Sequence, residues 1–119
     1  MKKVFIIDDN DTNLTVIAAM LEDEFKVFTM VSVAKMFTML DKIKPDVMLI
    51  DIEMPQIDGL TAISMLKENN EFKSIPIIVL TGWVTDEITA HAMQLGASSV
   101  IGKPTTSHIV KDAIEKALA

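Results

Sequence analysis

Cysteine is absent from the 119 residues, so the chain has no disulfide framework and no thiolate metal site. This absence is consistent with a reducing cytosol, and we take the cytoplasm as the expected location. A long hydrophobic run is absent from the N-terminus as well, since the apolar run after the first three residues spans only residues 4–7. Four residues are too few for a signal-peptide core or a membrane span. The sequence therefore predicts neither export nor membrane insertion.

Clusters of basic residues are also absent. The formal net charge is −6, and the 11 basic residues are dispersed along the chain. Nucleic-acid binding depends on clustered Lys and Arg, so we do not expect this chain to bind DNA or RNA. Half of the residues are hydrophobic and 24% are charged, which is typical of a globular protein. No linker or repeat interrupts the chain, and we predict one domain over residues 1–119.

Short apolar runs rich in β-branched residues predict strands that are buried on both faces. They occupy residues 4–7, 47–50, 77–80 and 100–101, and a weaker mixed run at residues 26–30 fits an edge strand. Between the runs, apolar residues recur at spacings of three and four, which predicts five helices with one apolar stripe each. Fivefold alternation of strand and helix indicates a parallel sheet with helices on both faces.

Residues that favour helix ends agree with this division. The predicted N-caps are Asn10 or Asp11, then Ser32, Asp58, Thr85, and Thr106 or Ser107, and Gly96 follows the fourth helix.

Carboxylates follow two of the predicted strands: Asp8 and Asp9 after the first, and Asp51 after the third. The carboxyl ends of strands form the binding edge of a doubly wound sheet. If the strand order is 2-1-3-4-5, which we assume, the three carboxylates converge. Close carboxylates raise one another's pKa unless a hard divalent cation lies among them, and Mg²⁺ prefers such oxygen ligands. We predict a magnesium site with Asp9 and Asp51 as direct ligands and Asp8 acting through water.

Two further polar residues, Thr81 and Lys103, end the fourth and fifth predicted strands. A nucleophilic carboxylate, a metal ion, a cation and a hydroxyl are the groups that phosphoryl transfer requires. In this interpretation Asp51 attacks the phosphorus, and Mg²⁺ and Lys103 neutralise phosphoryl oxygens. The hydroxyl of Thr81 bonds one of those oxygens.

The ordered set of motifs at the strand ends resembles the response-regulator receiver family across the whole chain. The motifs are Ile6-Ile7-Asp8-Asp9-Asn10, Asp51-Ile52-Glu53-Met54-Pro55 with Asp58-Gly59, Thr81-Gly82, and Lys103-Pro104. The resemblance implies a flavodoxin-like α/β fold, with a five-stranded parallel sheet in the order 2-1-3-4-5 and five helices.

The resemblance also implies a role in a two-component phosphorelay. A histidine kinase or a histidine phosphotransfer protein would donate the phosphoryl group to Asp51, and the phosphorylated state would change contacts with an effector. The backbone carbonyl of Glu53 would be a further magnesium ligand, and Thr81 would be the switch residue. Such a domain catalyses only its own phosphorylation and dephosphorylation, so we do not expect a conventional enzyme.

Three alternatives stay open. An aspartate-based phosphatase or phosphotransferase is one, because Asp51-Ile52-Glu53 faintly resembles its nucleophile and acid, although no cap-sized insertion is present. A flavin-binding or structural protein of the same fold is another, although the anionic segment at residues 8–11 is a poor phosphate cradle. The last is a degenerate receiver that acts only by protein contacts.

The chain departs from the family pattern at Val100, where receivers commonly carry Tyr or Phe. An aromatic switch therefore cannot be transferred, and the output route stays open. Trp83 either packs against the fourth helix or limits access to the pocket. Glu53 adds an acid that could repel phosphoryl oxygens or orient water, and we hypothesise that Glu53 and Trp83 set the lifetime of the acyl phosphate. The sequence does not indicate the cognate kinase, the oligomeric state or a larger parent protein.

Overall fold

Five strands and five helices alternate in the computed structural model, which describes residues 1–54 and 58–119. The strands are β1 (Lys3–Ile7), β2 (Lys26–Met30), β3 (Val47–Asp51), β4 (Ile77–Thr81) and β5 (Ser99–Gly102). The helices are α1 (Asp11–Leu21), α2 (Val33–Leu40), α3 (Gly59–Lys67), α4 (Asp86–Leu95) and α5 (Ser107–Leu118). Pro55, which belongs to the motif after Asp51, lies outside the described residues.

The strands form one parallel sheet in the order β2-β1-β3-β4-β5, as assumed from the sequence. β1 and β3 are neighbours, with Ile7 opposite Ile50, and Asp51 of β3 lies opposite Leu80 of β4. The carboxyl ends of these three central strands therefore meet at one edge of the sheet, as the flavodoxin-like fold requires.

The core consists of two apolar layers, one on each face of the sheet. Because successive side chains of a strand point to opposite faces, alternate residues enter different layers. Phe5 and Ile7 pack with residues of α2, α3 and α4, whereas Val4 and Ile6 pack with residues of α1 and α5. β1, β3 and β4 are almost entirely buried, which explains why they are continuous apolar runs in the sequence.

The fifth strand is more exposed than predicted. Ile101 is buried, but Ser99, Val100 and Gly102 are only half-buried. The prediction of burial on both faces was therefore wrong for Val100, because β5 lies at the edge of the sheet. The mixed composition of β2 correctly predicted the opposite edge.

Each helix begins at a side chain that accepts a backbone hydrogen bond. The N-caps are Asn10, Ser32, Asp58, Thr85 and Thr106, and each accepts from the N–H three residues later. α4 ends at Gly96, whose φ of 115° favours glycine. Among the helices that the structure describes, none has the length and apolar character needed to cross a bilayer.

Candidate functional site

Three carboxylates meet where β1 and β3 end side by side. Oxygen atoms of Asp8, Asp9 and Asp51 all lie within 4.8 Å of one another. Asp8 is 0% exposed and Asp51 is 2% exposed, whereas Asp9 faces solvent. The structure thus brings together the three acids that the sequence analysis selected, at the edge where a doubly wound sheet binds ligands.

The two buried carboxylates are each held by a backbone N–H and by one lysine. The N–H of Asn10 donates to Asp8 Oδ1, and the N–H of Glu53 donates to Asp51 Oδ1, both at 2.9 Å. Lys103 Nζ lies 3.0 Å from Asp51 Oδ2 and 3.4 Å from Asp8 Oδ2. Each acid therefore uses one oxygen for the backbone and the other for Lys103, so the two side chains have defined orientations.

The electrostatics of the site disfavour ionisation of Asp51. Burial raises the pKa of Asp51, and the charge of Asp8 acts in the same direction. The hydrogen bond from the Glu53 N–H and the ammonium of Lys103 oppose these effects without outweighing them. Burial also lowers the pKa of Lys103, but its hydrogen bond to Asp51 and the charges of both acids leave that pKa raised. Lys103 is therefore a cation at neutral pH.

The donor set fits a hard divalent cation. Three carboxylates and one ammonium leave a formal charge of −2 when all four groups are ionised (three negative, one positive). Mg²⁺ commonly takes one or two carboxylates and keeps several waters, and the exposed position of Asp9 leaves room for them. Asp8, Asp9 and Asp51 could hold such an ion, and the backbone carbonyl of Glu53 stays a predicted ligand.

Thr81 is completely buried at the end of β4, and its hydroxyl is already engaged. The hydroxyl donates to Glu53 Oε1, and the N–H of Gly82 donates to the same oxygen at 2.8 Å. The N–H of Trp83 donates to Thr81 Oγ1 at 3.0 Å. The hydrogen bond from Thr81, with smaller help from Gly82 and Lys103, lowers the pKa of Glu53. The contact between Glu53 and Thr81 was not predicted from the sequence.

Gly59 allows the chain to return close to the phosphoacceptor candidate. A Cβ at this position would lie 2.6 Å from both the carbonyl oxygen of Asp51 and the Cα of Ile52. These are backbone atoms, so a larger residue would displace the end of β3. The Asp58-Gly59 step of the sequence motif thus has a steric basis, in addition to the N-cap role of Asp58.

Other residues selected from the sequence lie away from the carboxylates or face solvent. Trp83 is 73% exposed, so the interpretation as a residue packed against the fourth helix was wrong. Val100 packs against the core layer formed with α2, α3 and α4.

We expect Asp51→Asn to raise the melting temperature of the metal-free protein near neutral pH. The folded-state pKa of Asp51 is raised, so its stabilising contribution is present below the unfolded pKa and is lost as pH rises through the folded pKa. Asp51→Asn removes the carboxylate charge, so it should stabilise the protein at pH values above the folded-state pKa of Asp51. The increase in melting temperature should shrink as the pH falls towards about 4, the ordinary range of an Asp pKa. Thermal unfolding in a chelator at several pH values measures this difference, with exposed Asp41→Asn as the control. A lower melting temperature at neutral pH would contradict it.

Comparison with known protein families matches most of the chain to one family. The model described as "Response regulator receiver domain" matches residues 4–115. The transcriptional regulatory protein YdfI of Bacillus subtilis is 30% identical over an alignment of 121 positions, which covers 99% of this chain and 55% of that protein. A protein-glutamate methylesterase/protein-glutamine glutaminase of Sulfurimonas denitrificans is 30% identical over an alignment of 125 positions, which covers 96% of this chain.

The chain spans only part of these relatives, about half of the first and 35% of the second. One similar solved structure can be superposed on this chain over nearly the full length of both proteins. It is a response regulator receiver domain protein from Clostridium thermocellum, with a TM-score of 0.90, 28% identity, and coverage of 99% of this chain and 94% of that one.

Proposed function

Because the chain belongs to the response regulator receiver domain family, we propose that Asp51 is its phosphoacceptor and that Asp8 and Asp9 hold Mg²⁺ beside it. Receivers of this family act in two-component signal transduction and accept phosphoryl groups from histidine kinases. The observation that supports these roles best is the pairing of nearly buried Asp51 with Lys103 at 3.0 Å, inside the carboxylate cluster. A histidine kinase or a histidine phosphotransfer protein is the proposed donor.

The comparisons do not favour the alternative functions. These alternatives are an aspartate-based phosphatase or phosphotransferase, a flavin-binding or structural protein of the same fold, and a degenerate receiver. The family is not one of conventional enzymes. The methylesterase relative bears an enzyme's name, but this chain matches only 35% of its length. The presence of Asp8, Asp9, Asp51, Thr81 and Lys103 at one edge argues against the degenerate receiver.

In the proposed reaction, a carboxylate oxygen of Asp51 forms a bond to the phosphorus of a phosphohistidine. The N–P bond breaks, and its electron pair stays on the imidazole nitrogen of the donor. Lys103 stays protonated and neutralises charge on the phosphoryl oxygens, because its pKa is raised. Thr81 and Gly82 offer a hydroxyl and an N–H at the end of the adjacent strand. When bound, Mg²⁺ supplies further charge neutralisation for the same oxygens.

We further propose that residues 1–119 form a single receiver domain that works in the cytoplasm and binds neither nucleic acid nor membranes directly. The continuous five-stranded sheet and the dispersed positive charges support this view. Val100 stands where many receivers carry an aromatic residue, so the output route does not use the rotation of an aromatic side chain at this position.

We expect Mg²⁺ at millimolar concentration to change the fluorescence of Trp83, the only tryptophan, which lies next to Thr81 at the same sheet edge. Asp9→Asn should weaken Mg²⁺ binding by about tenfold or more, because losing even an outer partner of a metal site costs about 10- to 100-fold. Asp11→Asn is the matched control, since Asp11 is an exposed acid two residues later in α1. Equal Mg²⁺ affinities for the two variants would contradict the proposed site.

A further inference from the structure

One carboxylate oxygen of Glu53 accepts two hydrogen bonds from residues at the end of β4. Glu53 Oε1 accepts from the hydroxyl of Thr81 and from the N–H of Gly82. A Cβ placed on Gly82 would lie 3.7 and 3.8 Å from the two carboxylate oxygens, so the carboxylate lies directly over this backbone. Glu53 itself is exposed, whereas Thr81 is fully buried. An exposed acid therefore reaches inward to a buried hydroxyl.

These two donors lie where a phosphoryl group on Asp51 would need them. The register places Leu80 opposite Asp51, so Thr81 and Gly82 are the next two residues along the neighbouring strand end. Phosphoryl oxygens require hydrogen-bond donors, and charge-assisted bonds to anionic oxygens are the strong ones. In the structure, both donors are already bonded to an anionic oxygen of the same chain.

We propose that Glu53 is an internal competitor of the phosphoryl group. In the unphosphorylated protein its carboxylate takes the donors of Thr81 and Gly82, and phosphorylation of Asp51 displaces it. This inference rests on the proposed role of Asp51 as phosphoacceptor. The oxygens of a phosphoryl group carry up to about two negative charges, which repel a carboxylate held by the same donors. Since Glu53 is exposed, its side chain can move into solvent and leave both donors to the phosphoryl oxygens.

Because of this competition, the phosphorylated state is less favourable than it would be in the same site without the Glu53 carboxylate. Before Thr81 and Gly82 can bond the phosphoryl oxygens, two hydrogen bonds to a charged acceptor must break. The position two residues after the phosphoacceptor then sets how strongly the site holds a phosphoryl group. Trp83 reports this exchange, because its N–H donates to the hydroxyl oxygen that changes partner.

Binding of beryllium trifluoride with Mg²⁺, a mimic of the phosphoryl group, measures the competition at equilibrium through Trp83 fluorescence or calorimetry. We expect Glu53→Ala to bind the mimic about tenfold more tightly than wild type, the equivalent of one charged hydrogen bond. Glu53→Gln keeps the acceptor without the charge and should lie between the two. Glu87→Ala is the control, because it removes an exposed acid in the first turn of α4 and should leave the affinity unchanged.

A double-mutant cycle separates capture of the donors from simple charge repulsion. When Glu53 is present, Thr81→Ala removes a hydrogen bond to Glu53 in the free state and a hydrogen bond to the mimic in the bound state. The two losses largely cancel, so this substitution should weaken binding of the mimic only slightly. In the Glu53→Ala background the hydroxyl has no charged acceptor in the free state but gains one when the mimic binds, so the cost of Thr81→Ala should be larger. Simple repulsion predicts equal costs in both backgrounds, and equal costs would overturn the proposal.

The amide signal of Gly82 tests the contact without any phosphoryl mimic. We expect its proton resonance to move upfield in Glu53→Ala and to stay in place in Glu87→Ala. A wild-type protein that binds no mimic would refute the phosphoacceptor role, and the competitor role with it. A wild-type protein that binds the mimic, with Glu53→Ala binding no more tightly, would refute the competitor role alone.

Discussion

Phosphorylation by a small donor such as acetyl phosphate should be lost completely in Asp51→Asn. An asparagine amide has no anionic oxygen that can attack phosphorus, so no acyl phosphate can form at this position. Intact mass spectrometry should show one added phosphoryl group on the wild-type chain in the presence of Mg²⁺, and none on the variant. A chelator should also abolish the addition to wild type, because the carboxylate cluster needs a divalent cation to hold a further anion.

The fold of Asp51→Asn should remain intact, because Asn replaces a carboxylate whose ionisation burial already disfavours. A loss of phosphorylation therefore cannot be attributed to unfolding if the melting temperature is unchanged or higher. Asp11→Asn is the control, since it removes one exposed acid and keeps the buried pair. Trapping the acyl phosphate by borohydride reduction locates the modified residue in wild type. Modification of Asp8 or Asp9 instead, or continued phosphorylation of the variant, would show that the assignment is wrong.

The interior of the sheet could be predicted from the sequence because burial on both faces leaves a continuous apolar run. β1, β3 and β4 have such runs, and they are the three buried strands. Apolar runs carry no information about which strand lies beside which, so the order had to be assumed and was then supported by the resemblance. The run at residues 100–101 was too short to distinguish an edge strand from a central one.

The site could be predicted as far as residue types at strand ends allow. Asp51 and Thr81 end parallel strands and Asp8 and Lys103 directly follow two others. Parallel strands present their carboxyl ends at one edge, so these four residues could be placed together. The contact between Glu53 and Thr81 could not be found in this way, because it depends on the register between β3 and β4. In this register Asp51 lies opposite Leu80. Glu53, two residues after Asp51, therefore comes within hydrogen-bond distance of Gly82, two residues after Leu80.

The second large effect concerns Lys103, the one cation paired with both buried acids among the described residues. In Lys103→Met, Asp8 and Asp51 lose their shared counter-ion, and we expect the metal-free protein to lose about 3 kcal/mol of unfolding free energy at neutral pH. The phosphorylation rate should fall by about 10²-fold, since a charge that stabilises the transferring phosphoryl group is gone. Chemical denaturation in a chelator and mass spectrometry measure the two effects.

Lys111→Met is the matched control for Lys103. The two lysine side chains are similarly exposed, 18% for Lys103 and 20% for Lys111, and each bridges two acids. The partners differ, because Asp23 and Glu24 are 65% and 49% exposed whereas Asp8 is fully buried. Water solvates the acids that Lys111→Met leaves behind, so its effect should be small. Adding Asp8→Asn to Lys103→Met should restore much of the stability without restoring the phosphorylation rate. Equal destabilisation by the two lysine variants would mean that burial of the acids does not govern this site.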